Sequence, residues 1–288
     1  MKKIARFVFV ALLALCSHAL VAADSVHVQV GDIDDRRTTG KFFAGLELEL
    51  KLIGDILGDA KAVRTLVKSA TDDTGRSLLD EEDKKDASFE DLRSSRNGSG
   101  GSVKLKLKNP ARKAVAVKEV RGELQFFVPK NDPAANISVA SIKEQSGKPI
   151  ESPALKAAGI QVLLFDKAGY DARKAKQSKE AEKSADENNL AGALKGAFKG
   201  LFSGFMNVGE NSLVLLVQDA DAKLVGVEFQ DAEGRKVRNN SSMTSGEKSE
   251  QTKIYDFNGK LPEKLVLQIL TPKSLVAVPL ELKDVPLP

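Results

Sequence analysis

The sequence predicts an all-β protein of two tandem antiparallel β-sandwiches, and three observations carry that expectation. Apolar and charged residues alternate with a period of two along much of the chain. The alternating runs are short and are cut by Asp, Asn, Gly and Pro. Similar strand-to-turn patterns recur in both halves.

In chain order, Leu46, Leu48, Leu50 and Leu52 alternate with Glu47, Glu49 and Lys51. One face is apolar and the other charged, the signature of a half-buried strand. Val103, Leu105 and Leu107 alternate in the same way with Lys104, Lys106 and Lys108, and Asn109-Pro110 ends the run. Gly122 to Pro129 (GELQFFVP) predicts a strand closed by proline, and Ile137 to Ile142 another. Further strands are expected at Ile160–Phe165, Ser212–Gln218, Leu224–Gln230, Lys253–Phe257, Leu265–Leu270 and Leu275–Leu282. Residues 63–76 run a strand into a turn with Asp73 and Gly75. Residues 225–237 do likewise with Asp231 and Gly234, and Ile160 to Gly169 reads as a third, looser copy. In each, Asp would bond the turn backbone and Gly would supply a positive φ. Residues 80–101, charged and then Gly/Ser-rich, read as a solvated loop.

The strands and hairpins resemble the tandem immunoglobulin-like or fibronectin-like sandwiches of bacterial envelope proteins. The resemblance is architectural and transfers no functional residue. It implies one domain over 24–152 and a second over 153–288, the latter carrying an insertion at 171–208.

The N-terminus reads as an export signal. Lys2, Lys3 and Arg6 precede an apolar run from Phe7 to Ala14, and Val21-Ala22-Ala23 offers small residues before Asp24. This is the pattern of a signal peptide spanning 1–23 and cut after Ala23, which implies a periplasmic or secreted protein. Cleavage lowers Lys+Arg from 44 to 41 against 40 acids, so the net charge falls from +4 to +1. No basic field then remains to favour nucleic acid. Cys16, the one cysteine, leaves with the signal, so burial rather than disulfides must hold the fold.

The remaining inventory is poor in catalytic groups. Of the chain's two histidines only His27 survives cleavage, beside the new N-terminus, and the chain has no Trp. Nucleophile–histidine catalysis and His/Cys zinc sites therefore lack their residues. Asp32, Asp34 and Asp35 could ligate calcium, as could Asp219 with Asp221 or Asp72 with Asp73. None has the loop spacing of a calcium motif, and such clusters are commonly turn residues. No cofactor is expected.

One segment stands apart. Residues 171–189 are Lys/Glu/Ala-rich and suit a solvated helix or connector, and LAGALKGAFKGLFSGFMNV follows at 190–208. Gly192, Gly196, Gly200 and Gly204 recur every four residues beside a row that includes Phe198 and Phe202, with Phe205 on a third row and Lys195 and Lys199 on the polar one. As a helix it would have a smooth groove beside an aromatic ridge. Four interior glycines cost such a helix about 4 kcal/mol, so it needs a partner. The partner could be the protein itself, a sister subunit or a membrane surface; without one, the segment reads as a flexible, low-complexity insertion between two strands.

The expected function is that of an exported, non-catalytic interaction or structural protein of the cell envelope, acting through sandwich surfaces and strand edges on a protein partner or on itself. Two alternatives stand beside it: a membrane-associated or self-oligomerising protein driven by 190–208, and a hydrolase using carboxylates alone.

Overall fold

The computed structural model describes residues 26–38, 44–79, 88–92, 101–183, 208–247 and 249–288. Residues 1–25, 39–43, 80–87, 93–100, 184–207 and 248 lie outside it. The strands are β1 His27–Arg36, β2 Gly45–Ile53, β3 Ala62–Asp72, β4 Glu90–Asp91, β5 Gly101–Leu107, β6 Ala116–Phe127, β7 Asn136–Ala140, β8 Gln161–Asp166, β9 Ser212–Gln218, β10 Leu224–Gln230, β11 Lys236–Val237, β12 Ser241–Glu247, β13 Glu250–Asp256, β14 Lys264–Ile269 and β15 Leu275–Pro286. The helices are α1 Pro153–Ala158 and α2 Lys167–Lys183.

The predicted all-β sandwich fold is present as four antiparallel sheets, ordered β1-β2-β5, β4-β3-β6-β15, β8-β9-β13-β12 and β11-β10-β14-β7. The first two enclose one core. The four leucines of β2 face Val63 and Ala70 of β3, Val120 and Leu124 of β6, and Leu280 and Leu282 of β15. The other two enclose a second core, with Val162, Leu164, Leu213 and Leu215 against Phe229, Leu265 and Leu267. β9 reads Ser-Leu-Val-Leu-Leu-Val-Gln because both of its faces are covered. Leu213, Leu215 and Val217 enter the second core, while Val214 and Leu216 pack with Tyr170 of α2 and with Val208.

The two sheet pairs repeat one topology. β1-β2-β5 corresponds to β8-β9-β13, and β4-β3-β6 to β11-β10-β14. Each set is thus one half of an antiparallel β-sandwich with the same strand order. The turn after β3 and the turn after β10 also match bond for bond. Asp72 N–H donates to the Arg76 carbonyl at 3.0 Å, and Asp231 N–H to the Arg235 carbonyl at 3.0 Å. Gly75 and Gly234 take φ of +85° and +82°. In each turn the Asp side chain accepts from the Arg N–H, at 2.9 and 2.8 Å. The first aspartate of the repeated turn is therefore Asp72, one residue earlier than the expected Asp73. The third, looser copy is not a hairpin. Asp166 there accepts from Gly169 N–H at 2.8 Å and starts α2. The same Asp-x-x-Gly spacing serves as a helix cap because the residues that follow are good helix formers.

The last strand of each half is exchanged. β7 follows β6 in the chain but pairs with β14, joining Asn136 to Gln268 and Ser138 to Val266. β15 follows β14 but pairs with β6 from Leu275↔Phe127 to Pro286↔Ala116. Each sheet thus receives its final strand from the chain that leaves the other sheet. The pairing draws a different line from the division expected at 152/153, because 136–140 belongs with the second core and 275–286 with the first. Alternation shows where strands lie, whereas the choice of pairing partner is non-local.

The two connectors cross and bond. Val128 N–H donates to the Ser274 carbonyl at 2.7 Å, and Thr271 Oγ1 donates to Asp132 Oδ2 at 2.7 Å. Phe127, Ala62 and Ala135 form a small buried cluster there, with Val225 and Leu270 packed on it.

Candidate interaction surfaces

A sandwich offers partners its faces, its loops and its strand edges, and unpaired edge backbone is the most readily joined. Most described edges carry a device that discourages joining. β1 has a register shift between Val30 and Ile33 and ends in Arg36. β5 carries Lys104 and Lys106, and β15 carries Pro279, Lys283 and Pro286. β4 and β11 are two residues long. β8 is covered by 147–150, whose Gly147 and Ile150 N–H groups donate to the Leu164 and Val162 carbonyls at 2.8 Å.

β12 has no such device. It pairs with β13 through all seven residues, from Ser241↔Asp256 to Glu247↔Glu250, and forms the rim of its sheet. Every residue of Ser-Ser-Met-Thr-Ser-Gly-Glu is exposed, Met243 at 49 %. Its one charge is the terminal Glu247, and it has no proline. Its first residue is held: Ser241 Oγ donates to Asp256 Oδ2 at 2.5 Å, and Ser212 Oγ of β9 donates to the other oxygen of Asp256 at 2.6 Å. These two hydroxyls hold the Asp256 carboxyl below the usual carboxylate range. Neighbouring Tyr255 points into the second core, its ring 4.9 Å from that of Phe229, and burial pushes its hydroxyl up to about 12. The rim strand is exposed but anchored to a rigid neighbour.

A second feature is a cleft of about 540 Å³ where the two sandwiches meet. Gly58, Asp59 and Lys61 of the first half form one wall, Pro129 and Lys130 of the crossing connector the end, and Asn136, Ser138, Glu228, Gln230, Val266 and Gln268 the floor. Its carboxylates each have a cation beside them. Lys130 lies 2.9 Å from Asp59, and Glu228 lies 3.7 Å from Lys61 and 3.5 Å from Lys236.

All the candidate calcium ligands but Asp32 have protein partners. Asp34 pairs with Arg36, and Asp35 accepts from Arg37 at 2.6 Å and from the Asn109 amide at 2.7 Å. Asp32 sits exposed in the register shift. Asp72 brackets its turn, Asp219 accepts from Leu224 N–H at 2.6 Å, and Asp221 pairs with Lys223 at 2.7 Å. Among the described residues no three His, Cys, Asp or Glu side chains converge on a point that could hold a metal ion. Gly192, Lys195, Gly196, Phe198, Lys199, Gly200, Phe202, Gly204 and Phe205 lie outside the described residues, as does the expected signal peptide. No described helix is long and apolar enough to cross a membrane.

Sequence reasoning missed both surfaces. β12 has no apolar alternation to reveal it. The cleft had a readable signal in the internal repeat of Leu124-Gln125-Phe126-Phe127-Val128-Pro129-Lys130 as Leu267-Gln268-Ile269-Leu270-Thr271-Pro272-Lys273. No protein-family model, curated protein or solved structure matches the chain.

Proposed function

We propose that this chain is a non-catalytic interaction protein of an extracytoplasmic compartment, and that it works by accepting an extended segment of a protein partner alongside β12. The observation that carries this reading is the seven-residue rim strand, wholly exposed and undefended, on a sheet whose other described edge is covered. Added strands gain affinity from main-chain hydrogen bonds and specificity from alternate side chains. Ser242, Thr244 and Gly246 on one side of β12, and Met243 and Ser245 on the other, would supply that alternation. The export signal read at 1–23 supports the compartment, and the scarcity of histidine and cysteine supports binding over catalysis.

Photo-crosslinking in the exporting cell tests the reading. A photoreactive residue at Thr244 is expected to capture one partner, while the same residue at Lys283 on the proline-bearing edge captures none. Ser242→Pro, which removes an outward-facing backbone donor from the rim, should reduce capture at position 244 to background. Equal adducts from both edges, or none from β12, would contradict the proposal.

A further inference from the structure

The cleft between the sandwiches contains a buried glutamine that has lost its partners. In the first half, Gln125 is 9 % exposed and fully used. Its Oε1 accepts from Arg64 Nε at 2.7 Å, and its Nε2 donates to Glu123. Arg64 is held over the Phe89 ring at 4.6 Å. In the second half the repeat places Gln268 at the same position, 6 % exposed. Gln125 lies opposite Arg64, whereas Gln268 lies opposite Gly226. Two residues earlier in the strand, Glu123 is replaced by Val266. Both groups that satisfy Gln125 are therefore missing around Gln268. Among the described residues its carboxamide makes no side-chain hydrogen bond, nor do those of Gln230 or the hydroxyl of Ser138 beside it. A Cβ on residue 226 would stand 2.7 Å from Gln268 Oε1, so the glycine is what leaves this amide uncovered.

The Gln268 carboxamide opens onto the cleft without a protein partner, so an occupant that supplies both a donor and an acceptor can bond it directly. A peptide group does so in one plane. The rim pairs Lys130 with Asp59 and Lys61 with Glu228, and the carboxylate and ammonium of a zwitterion can exchange into those two pairs. None of the described residues lining the cleft is aromatic, so none offers a ring to stack on a sugar. Its volume of about 540 Å³ lies within the ordinary range for small-ligand sites.

We infer that the cleft binds a short zwitterionic peptide whose backbone amide pairs with the Gln268 carboxamide and whose ends meet the rim charges. This site is separate from β12 and stands or falls without it.

The test is NMR titration of the chain beginning at Asp24 with trialanine, with chitobiose as the competing chemistry. Trialanine is expected to bind saturably and to shift the side-chain amide signals of Gln268. Gln268→Leu should weaken it about tenfold, the loss of roughly one hydrogen-bonded pair. Gly226→Arg, which restores the arrangement around Gln125, should abolish binding while leaving the β12 crosslink intact. Lys130→Ala, on the exposed rim, provides a variant that leaves the floor untouched and should weaken trialanine but not a peptide blocked at its C-terminus. Absence of saturable trialanine binding, binding unchanged in the three variants, or binding of chitobiose alone would overturn the inference.

Discussion

Cutting the chain after Ser274 is expected to abolish the cooperative urea transition of the whole molecule, not of its second half alone. β15 is the outer strand of the first sandwich and places Val278, Leu280, Leu282 and Val285 in its core, each at most 8 % exposed. Burying one such side chain contributes about 1.5–3 kcal/mol, so the four together contribute about 6–12 kcal/mol. That is comparable to the whole stability of an ordinary domain, about 5–15 kcal/mol. The pairings of β15 with β6, from Phe127 to Ala116, would be lost as well. A milder variant, Leu280→Ala, should cost about 2–5 kcal/mol and leave a measurable transition. Tyrosine emission reads the other half selectively, because the two tyrosines are Tyr170 and Tyr255, packed in or against the second sandwich, and the chain has no Trp. The midpoint from tyrosine should move with the midpoint from far-UV circular dichroism. An unmoved tyrosine midpoint would mean that the crossing at Val128, Asp132, Thr271 and Ser274 does not couple the halves.

Asp72→Ala should be the most damaging polar substitution, costing about 3 kcal/mol or more at pH 7. The carboxyl is 1 % exposed. Oδ1 accepts from Thr74 N–H at 2.9 Å, from Thr74 Oγ1 at 2.7 Å and from Arg76 N–H at 2.9 Å, and Oδ2 accepts from Ala111 N–H at 2.8 Å. Burial raises its pKa, but the four donors outweigh burial and hold it at about 2, below the ordinary value of 3.8. A group depressed in the folded state stabilises above its unfolded pKa, and that contribution is lost as pH falls through the folded one. Asp72 therefore adds roughly 2 kcal/mol above about pH 4, and the contribution fades between about pH 4 and pH 2. Asp72→Asn removes the charge and sets an amide N–H against one of the donors. Its deficit should be near 2 kcal/mol at pH 7 and should shrink toward pH 2. A deficit constant across that range would show that the carboxylate charge is not what binds the β3 turn to the segment before β6.

How legible each part was in the sequence follows from what local pattern can encode. β9 and β10 match the predicted ranges because a strand buried on one or both faces must be apolar where it is covered. β2 matches through its four leucines. β12 escaped notice because neither of its faces is buried, so nothing imposes alternation on Ser-Ser-Met-Thr-Ser-Gly-Glu. The turns after β3 and β10 were readable because a positive φ and an Asx bond require particular residues. Asp166-Lys-Ala-Gly169 shows the limit of that signal, since a helix cap uses the same two residues at the same spacing. The exchange of β7 and β15 could not be read locally at all. Each strand satisfies the same alternation whichever sheet it joins. The partnerless Gln268 becomes visible only when the repeated Leu-Gln strands are compared and the residue opposite each is known.

β15 completes the first sandwich within the same chain. Cysteines placed at Arg121 and Glu281 test this most directly. The two residues are register partners on neighbouring strands, with Arg121 Nε 3.9 Å from Glu281 Oε1, and a chain starting at Asp24 contains no other thiol. Paired positions in adjacent antiparallel strands lie within the Cα separation a disulfide spans. Mild oxidation of Arg121→Cys/Glu281→Cys should give a monomer with an internal disulfide joining the β6 and β15 peptides. A chain that stays reduced, or one that forms the bond only between two copies, would contradict the exchange of strands within one molecule.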